Sequence, residues 1–481
     1  MTTIQKLDII EILEILIGVV VSMDSATTIT TRLNDYMKQE GLSLSQFAQK
    51  IGLNIGTLSY ILNGNRTLSI EQLDLITECM GLAKGYFYNQ YFEEVLVEST
   101  PNWRRIKPFI YGCAEIGNWD LIHKAVQLLL DTLVYSSHLF DVAEDFYKSG
   151  KKEAAIILYE NVALSERNQH SERLALCQYR LFICKLGNDQ EKNYQAAIQF
   201  EFFVDRLDEY DQLEALKNLA NTYRSLRRWD KVEETAEKLK NKAEILYQRT
   251  TKYNHQDYKH TIPLFTYIAY SNLLLGSVFE SKRDYERAMQ YIALYANLDW
   301  VREDDKDTLI WKEKFHAWAK MNTMVTKLSV GDFSVLPEYI QYLESNKDER
   351  LLSLLNIIEA ANRYHYNVDS ILERFDISSI VKAEYSNDVY TKQTIEERLA
   401  RLYFELADYH LSKGLYKDGF KYLVDSLNKS ASINEKTCII KCVGLFESLR
   451  EKCDKALIEA YQKIITEVYN NEKKTGSTIY V

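Results

Sequence analysis

The sequence predicts an all-α protein, because its composition suits helices and its apolar residues follow a helical period. The 481 residues include only 4 prolines and 17 glycines, well below ordinary usage, whereas 46% are hydrophobic. Along most of the chain, apolar residues recur every three or four positions, which is typical of helices that bury one face. Within this class, the sequence divides into a short N-terminal domain and a long array of helix pairs.

The charge and the cysteines exclude some classes of protein. A net charge of −10 and a pI of about 5.5 exclude a polycation that coats nucleic acid through charge alone. The seven cysteines form no C-x-x-C pair, which fits reduced thiols in a cytoplasmic protein. Cys438 and Cys442 lie one helical turn apart. We interpret them as two small core residues, and a metal site is the less favoured alternative.

Residues 1–23 are an N-terminal extension without a predicted fold. Its apolar run, residues 15–21, is too short to cross a bilayer, which takes about 20 residues. It also lacks the basic leader and the cleavage site of a signal peptide, so we expect no membrane association. Met23 is an alternative start, and no function is assigned to this segment.

Residues 24–92 are predicted to form a small helical domain. The stretch LSLSQFAQKIGLNIGTLSYILNGNR, residues 42–66, divides into two short helices with a break at Gly52. Ala48 is small enough for the second helix to approach closely, and Gly52 can take the left-handed conformation of a tight turn. Asn54 can cap the helix that follows. This local chemistry favours two helices that cross at a turn.

The domain resembles the helix-turn-helix of the lambda-repressor/Cro (XRE) type. The residues that carry this resemblance are Phe47, Ala48, Gly52, Leu53, Ser59, Ile61, Gly64 and Arg66. Leu62 departs from many relatives, which carry Glu at that position. The resemblance implies that the helix from about Ile55 to Leu62 enters the major groove of a double-stranded DNA operator. The side chains expected to contact DNA are Gln46, Thr57, Ser59, Tyr60, Asn63 and Arg66.

The charge of the domain implies weak DNA binding by a single copy. Residues 24–90 contain five Lys/Arg and six Asp/Glu, which gives a net charge of −1. Since neutralised phosphates supply most of the non-specific affinity, we expect two copies to bind together as a homodimer.

Residues 93–108 are predicted to be a linker. Pro101 and Pro108 flank the second half of this segment, and proline disfavours helix at and just before its own position. The segment contains the basic residues Arg104, Arg105 and Lys107. These side chains either contact DNA or only keep the linker in place.

Residues 109–470 are predicted to be an array of paired helices. Ala143, Ala220, Gly276 and Ala407 are each followed twelve positions later by a second small residue, or by valine in one copy. An aromatic residue between the two wedges the turn of each pair. This pattern resembles the tetratricopeptide motif, which implies a right-handed superhelix whose concave face binds extended peptides. Residues 471–481 are predicted to be a flexible tail.

The combination of the two domains resembles the RRNPP class of peptide-responsive transcription regulators. The resemblance implies that a short signalling peptide binds the concave face and alters the spacing of two DNA-binding heads. We expect the homodimer to be held by the C-terminal repeats, residues 416–458. Asparagine in the groove can hold a peptide backbone, because its amide offers both a donor and an acceptor. The side chains expected to bind the peptide are Lys217, Asn218, Asn221, Arg224, Asn272 and Asn322.

Two other functions are alternatives to this interpretation. In the first, the N-terminal domain no longer binds DNA, and the array sequesters a protein partner under peptide control. The near-neutral charge of the domain favours this scaffold function. The second is an enzyme, which the sequence disfavours because it contains no Gly-rich phosphate loop, no H-E-x-x-H and no Gly-x-Ser-x-Gly. We therefore predict no catalytic residue, no metal site and no cofactor.

Overall fold

The computed structural model describes residues 28–98, 100–129, 134–167, 171–253, 262–383 and 389–475. In these ranges the chain is helical and contains no β-strand, which confirms the predicted all-α class. The N-terminal extension, residues 1–23, and residues 476–481 of the predicted tail lie outside them. Within the same ranges, no helix is both long and apolar enough to cross a membrane.

The chain divides into two compact units, Met1–Cys184 and Lys185–Val481, here named unit 1 and unit 2. This boundary differs from the predicted one at residues 93–108, because unit 1 contains the first helix pairs of the predicted array as well as the N-terminal domain.

Unit 1 begins with the helices of the N-terminal domain. They are α1 (Ile29–Gln39), α2 (Leu44–Ile51), α3 (Ile55–Leu62), α4 (Ile70–Cys79) and α5 (Tyr88–Tyr91). Side-chain oxygens of Thr28, Ser43, Asn54 and Ser69 each accept a hydrogen bond from a backbone N–H in the first turn of α1 to α4. Gly52 ends α2 in the left-handed conformation, with a φ of 72°. These local contacts fix the helix boundaries, and the predicted roles of Gly52 and Asn54 are confirmed.

Residues 93–108 are mostly helical, which differs from the predicted linker. Phe92–Val97 is a π-helix, and α6 (Trp103–Glu115) contains Pro108 in its interior. Proline inside a helix costs about 3 kcal/mol. Four side chains of α6 are fully buried: Ile106, Phe109, Ile110 and Cys113. Burying such a side chain contributes about 1.5–3 kcal/mol, so the packing of α6 outweighs the hydrogen bond lost at Pro108.

The rest of unit 1 consists of consecutive helix pairs. After α6 come α7 (Trp119–Gln127), α8 (Val134–Lys148), α9 (Lys152–Ser165) and α10 (Glu172–Lys185). Helix α6 packs on α7, and α8 packs on α9. Gly117 and Gly150 occupy the turns of these two pairs with φ values of 69° and 76°, a conformation that glycine adopts without steric penalty.

Unit 2 continues the series of helices. In the described ranges they are α11 (Gln190–Glu201), α12 (Glu209–Ser225), α13 (Trp229–Tyr253), α14 (Phe265–Ser281), α15 (Tyr285–Ala296), α16 (Lys306–Ser329), α17 (Leu336–Ser345), α18 (Arg350–Tyr364), α19 (Asp369–Arg374), α20 (Ile377–Val381), α21 (Val389–Ser412), α22 (Tyr416–Ser432), α23 (Lys436–Leu449) and α24 (Lys455–Thr475). Successive helices pack on one another, and the most extensive packing joins α21 with α22, α13 with α14, and α14 with α15. The tetratricopeptide-like superhelix itself stays a prediction.

Two turns of unit 2 place arginine where other turns have glycine. Gly331 and Gly414 follow α16 and α21 with φ values of 87° and 75°. Arg227 and Arg283 follow α12 and α14 with φ values of 55° and 62°. A side chain other than glycine costs roughly 1–2 kcal/mol in this left-handed conformation. Arg227 and Arg283 therefore keep the left-handed conformation of the turn although it costs them free energy that glycine would not lose.

The beginning of unit 2 contacts its C-terminal helices. The backbone N–H of Gln190 donates to the carbonyl oxygen of Ile433 at 2.9 Å. The side-chain Nδ2 of Asn434 donates to Asp189 Oδ2 at 2.7 Å. Further along the chain, α12 contacts α21. The chain of unit 2 therefore returns to its own starting point.

Candidate functional site

Helix α3 presents a face of uncharged side chains to solvent. Leu58 and Ile61 are 0% and 2% exposed and hold the opposite face in the core, where α2 packs against α3. On the outward face Tyr60 is 59% exposed, and Asn63 is exposed one turn later. The half-buried residues of the same helix are Thr57, Ser59 and Leu62. The major groove of DNA is wide enough to admit a helix of this kind.

Local hydrogen bonds determine which polar atoms near α3 are left for a ligand. Asn54 Oδ1 accepts from the backbone N–H of Gly56 at 2.8 Å and is committed to the cap of α3. Gln46 Oε1 accepts from the backbone N–H and the hydroxyl of Ser43 at 2.9 and 2.8 Å. The exposed Gln46 can therefore offer its Nε2 group as a donor to a phosphate at the start of α2.

Two arginines lie beside the loop that follows α3. Arg66 is exposed, and its backbone N–H donates to the carbonyl oxygen of Tyr60 at 3.1 Å. Arg105 of α6 donates from Nη2 to Thr67 Oγ1 at 3.2 Å, although 38 positions separate these residues in sequence. The fold thus adds a second guanidinium group to the loop that contains Arg66, and this contact places Arg105 beside the N-terminal domain.

Aromatic side chains join the N-terminal domain to α6. The ring centroid of Phe109 lies 5.6 Å from that of Tyr88 and 5.8 Å from that of Tyr91. Tyr91 OH donates to the carbonyl oxygen of Leu68 at 3.1 Å, and Tyr88 OH donates to Asp74 Oδ1 at 2.9 Å. Burial raises the pKa of Tyr91 to about 12, so this hydroxyl remains a donor at neutral pH. Helix α6 is therefore fixed to both α4 and the loop that follows α3.

Part of the negative charge of the N-terminal domain is compensated by Lys84. Its Nζ lies 3.6 Å from Asp74 Oδ2 and also pairs with Glu115 of α6. The hydrogen bond to Glu115 raises the pKa of Lys84, and the same bond lowers the pKa of Glu115. Lys84 therefore screens the charge of Asp74 toward a DNA phosphate, and both charges are already included in the net charge of −1.

Glu214 organises two of the predicted peptide-binding residues on α12. Lys217 Nζ lies 2.7 Å from Glu214 Oε1, and Asn218 Nδ2 donates to the same oxygen at 3.5 Å. Tyr267 of α14 donates to Glu214 Oε2 at 3.0 Å. The structure therefore brings Lys217 and Asn218 together around one carboxylate, beside the first helix of the next pair.

The next turn of α12 carries Asn221 and Arg224. Asn221 is 9% exposed, and its Oδ1 accepts from the hydroxyl of Tyr270 at 2.6 Å. Arg224 is half-buried, and its positive charge acts on Glu280 at the end of α14. These two predicted residues thus lie between α12 and α14.

The other two predicted residues lie in the packing between helices. Asn322 of α16 donates from Nδ2 to Tyr295 OH at 2.7 Å. Asn272 of α14 is 5% exposed, and its Oδ1 has no hydrogen-bond partner among the residues that the structure describes. The structure does not place Asn272 on an open face with Lys217 and Asn218.

Sequence reasoning missed the charged residues that lie near this polar set. Glu280 accepts from Ser329 Oγ at 3.2 Å, and burial raises the pKa of its carboxyl to about 7. Arg401 of α21 lies 2.8 Å from Glu359 of α18 and 3.6 Å from Glu397. Glu280 lies near the end of α14, which is the first helix of a predicted pair. A charged residue at that position is the sequence signal that could have identified these charged residues.

The comparisons with known proteins identify the N-terminal domain. Residues 33–87 match the family described as helix-turn-helix. The chain thus carries an XRE-type helix-turn-helix domain at the N-terminal end of an all-helical protein. Such a domain indicates a DNA-binding transcription regulator. A search of the curated proteins found no match to this chain.

Proposed function

We propose that the protein is a DNA-binding transcription regulator whose activity is gated by a short peptide bound on the first helices of the pairs in unit 2. The observation that carries the DNA-binding part is the exposed side of α3 within the matched helix-turn-helix segment. Tyr60 and Asn63 can reach base edges there, while Arg66 and Arg105 supply positive charge for the flanking phosphates.

The polar side chains of α12 and α14 support the peptide-binding part. Lys217, Asn218 and Arg224 are partly exposed, and Asn221 already accepts a hydrogen bond from Tyr270. A peptide backbone presents donors and acceptors at regular spacing and can exchange with such contacts. A peptide that prefers one arrangement of these helices by ~1–3 kcal/mol would shift the population of protein that is competent to bind DNA.

A homodimer formed through residues 416–458 completes the proposal. Helices α22, α23 and α24 line a cavity of about 390 Å³, and Ile440 at its edge is 70% exposed. Two heads on neighbouring half-sites would add their phosphate contacts, which a domain of nearly neutral charge needs. Light scattering should detect a dimer at micromolar concentration. Ile440→Asp should shift the protein to monomer, whereas Ile245→Asp, at a site that is 58% exposed elsewhere in unit 2, should not.

The DNA-binding part is tested by selecting bound fragments from a genomic library at low salt. We expect the wild-type protein to enrich specific fragments, and the double variant Tyr60→Ala/Asn63→Ala to lose them. The matched control is Tyr469→Ala/Asn470→Ala, which removes the same two side-chain types from exposed positions on α24. Loss of DNA in the control as well would show that the effect is not specific to α3.

One observation favours the second candidate, a scaffold that sequesters a protein partner. Residues 54–65, which include all of α3, contain no charged side chain. Failure of the wild-type protein to retain any fragment at low salt would support the scaffold and contradict the regulator.

The peptide-binding part is tested by calorimetric titration. Peptides encoded by a small open reading frame beside the gene should bind the wild-type protein, and Asn218→Ala and Asn221→Ala should each weaken binding about tenfold. Asn470→Ala should bind as the wild type does. Equal binding by all variants would remove α12 from the proposed site.

A further inference from the structure

The exposed side of α3 has an unusual chemistry for a surface that meets an anionic polymer. Ile55 and Tyr60 are 50% and 59% exposed, so the largest groups on this side are apolar. Ile55 is the first residue of α3. In a recognition helix, the N-terminal residues are the ones that contact base edges. The helix therefore reaches the groove with an aliphatic side chain, an aromatic ring and the Asn63 amide.

Each base pair presents a different pattern in the major groove, and the side chains of α3 match only part of that code. Guanine is read by the paired donors of Arg or Lys, and α3 contains neither. Adenine is read by the amide of Asn or Gln, and the C5-methyl group of thymine is read by apolar contact. Building on the proposed DNA-binding function, we propose that this protein selects A·T-rich half-sites, with Ile55 and Tyr60 against thymine methyl groups and Asn63 on an adenine.

The geometry of α3 supports close contact at these positions. Gly56 lies on the outward side next to Ile55 and has no side chain to hold the helix away from the bases. The side-chain oxygen of Asn54 is not available to a base, because Oδ1 accepts a hydrogen bond from the backbone N–H of Gly56. Asn63 is exposed, and among the described residues its Nδ2 makes a single long contact of 3.4 Å with Ser59 Oγ, so the amide can turn to a base edge.

The experiment starts from a pool of randomised DNA duplexes bound by the full-length protein. We expect the enriched duplexes to share A·T base pairs. Each thymine of the best duplex is then replaced by uracil, which removes only the methyl group, and affinity is measured by fluorescence anisotropy. Loss of one buried methyl contact should weaken binding about fourfold at one or two positions.

The variants connect each methyl group to a side chain. In Ile55→Ala, uracil substitution at one of those positions should no longer weaken binding, because the apolar partner of the methyl group is absent. Ile245→Ala, the same change at a site that is 58% exposed in unit 2, should keep the full uracil effect. Tyr60→Ala is expected to remove the effect at the other position.

The outcomes separate this inference from the function on which it rests. Enriched duplexes dominated by G·C pairs, or a uracil effect that persists unchanged in both α3 variants, would overturn A·T selection while leaving a DNA-binding regulator. Failure to enrich any duplex would overturn the DNA-binding function itself. Enrichment of A·T pairs together with a uracil effect that depends on Ile55 or Tyr60 supports the inference.

Discussion

Replacing Phe109 by alanine should destabilise unit 1 and loosen α6 from the N-terminal domain. The ring is fully buried, and its centroid lies 5.6, 5.8 and 6.2 Å from the rings of Tyr88, Tyr91 and Phe92. Buried Phe→Ala changes cost about 3–5 kcal/mol. We expect about 4 kcal/mol here, because three aromatic neighbours lose their common partner. Such a loss is a large part of the 5–15 kcal/mol that is typical of folded domains.

Hydrogen exchange of the full-length protein is the suitable assay, because it reports α4 and α6 separately from unit 2. Amides of α6 that exchange only on unfolding of unit 1 should lose about a thousandfold of protection in Phe109→Ala. The control is Leu164→Ala in the same unit, where the side chain is 55% exposed and the expected change is below about 0.5 kcal/mol. A loss below about 1 kcal/mol in Phe109→Ala would refute the coupling role of this ring.

Three other variants have defined expected outcomes. Because the pKa of Glu280 is raised to about 7, above an unfolded value of about 4.3, its contribution to stability is present at low pH and is lost as pH rises through 7. In urea titrations, the free energy of unfolding of Glu280→Gln should depend less on pH, between about 4.3 and about 7, than that of the wild type. An unchanged pH dependence would contradict burial of the carboxyl. Arg227→Gly should raise stability by about 1 kcal/mol in the same assay, since the left-handed turn then carries no side-chain penalty; a loss would show that the arginine side chain stabilises the turn. Arg105→Ala should lower the slope of log affinity against log salt by about one phosphate contact, whereas an unchanged slope would place Arg105 outside the DNA interface.

The helices of the N-terminal domain were predictable because their signals are local. Ser43 and Asn54 cap within their own first turns, and Gly52 supplies the left-handed residue on its own. The helix at residues 103–115 was not predictable in the same way. Pro108 is a strong local signal against helix, whereas the compensating burial of Phe109 depends on Tyr88 and Tyr91, which the sequence does not place beside it.

The candidate sites show the same division between local and tertiary information. The exposure of Tyr60 follows from the period of α3, but the position of Arg105 beside Thr67 requires the packing of α6. In unit 2, Asn218 and Asn272 are the same residue type on the first helices of neighbouring pairs. Asn218 is partly exposed, whereas Asn272 is 5% exposed, because the approach of adjacent helices decides which side of a helix is covered.

The return of unit 2 to its own starting point affects how it unfolds. In an open row of repeats each pair is supported only by its neighbours, so melting begins at the two ends and spreads inward. In unit 2 the start of α11 is held by the loop between α22 and α23, through Gln190 with Ile433 and Asp189 with Asn434. The N-terminal end of unit 2 is then not a free place for melting to start. Unit 2 is therefore expected to melt in a single cooperative step. Deletion of α22 to α24 is also expected to destabilise α11, at the N-terminal end of the unit.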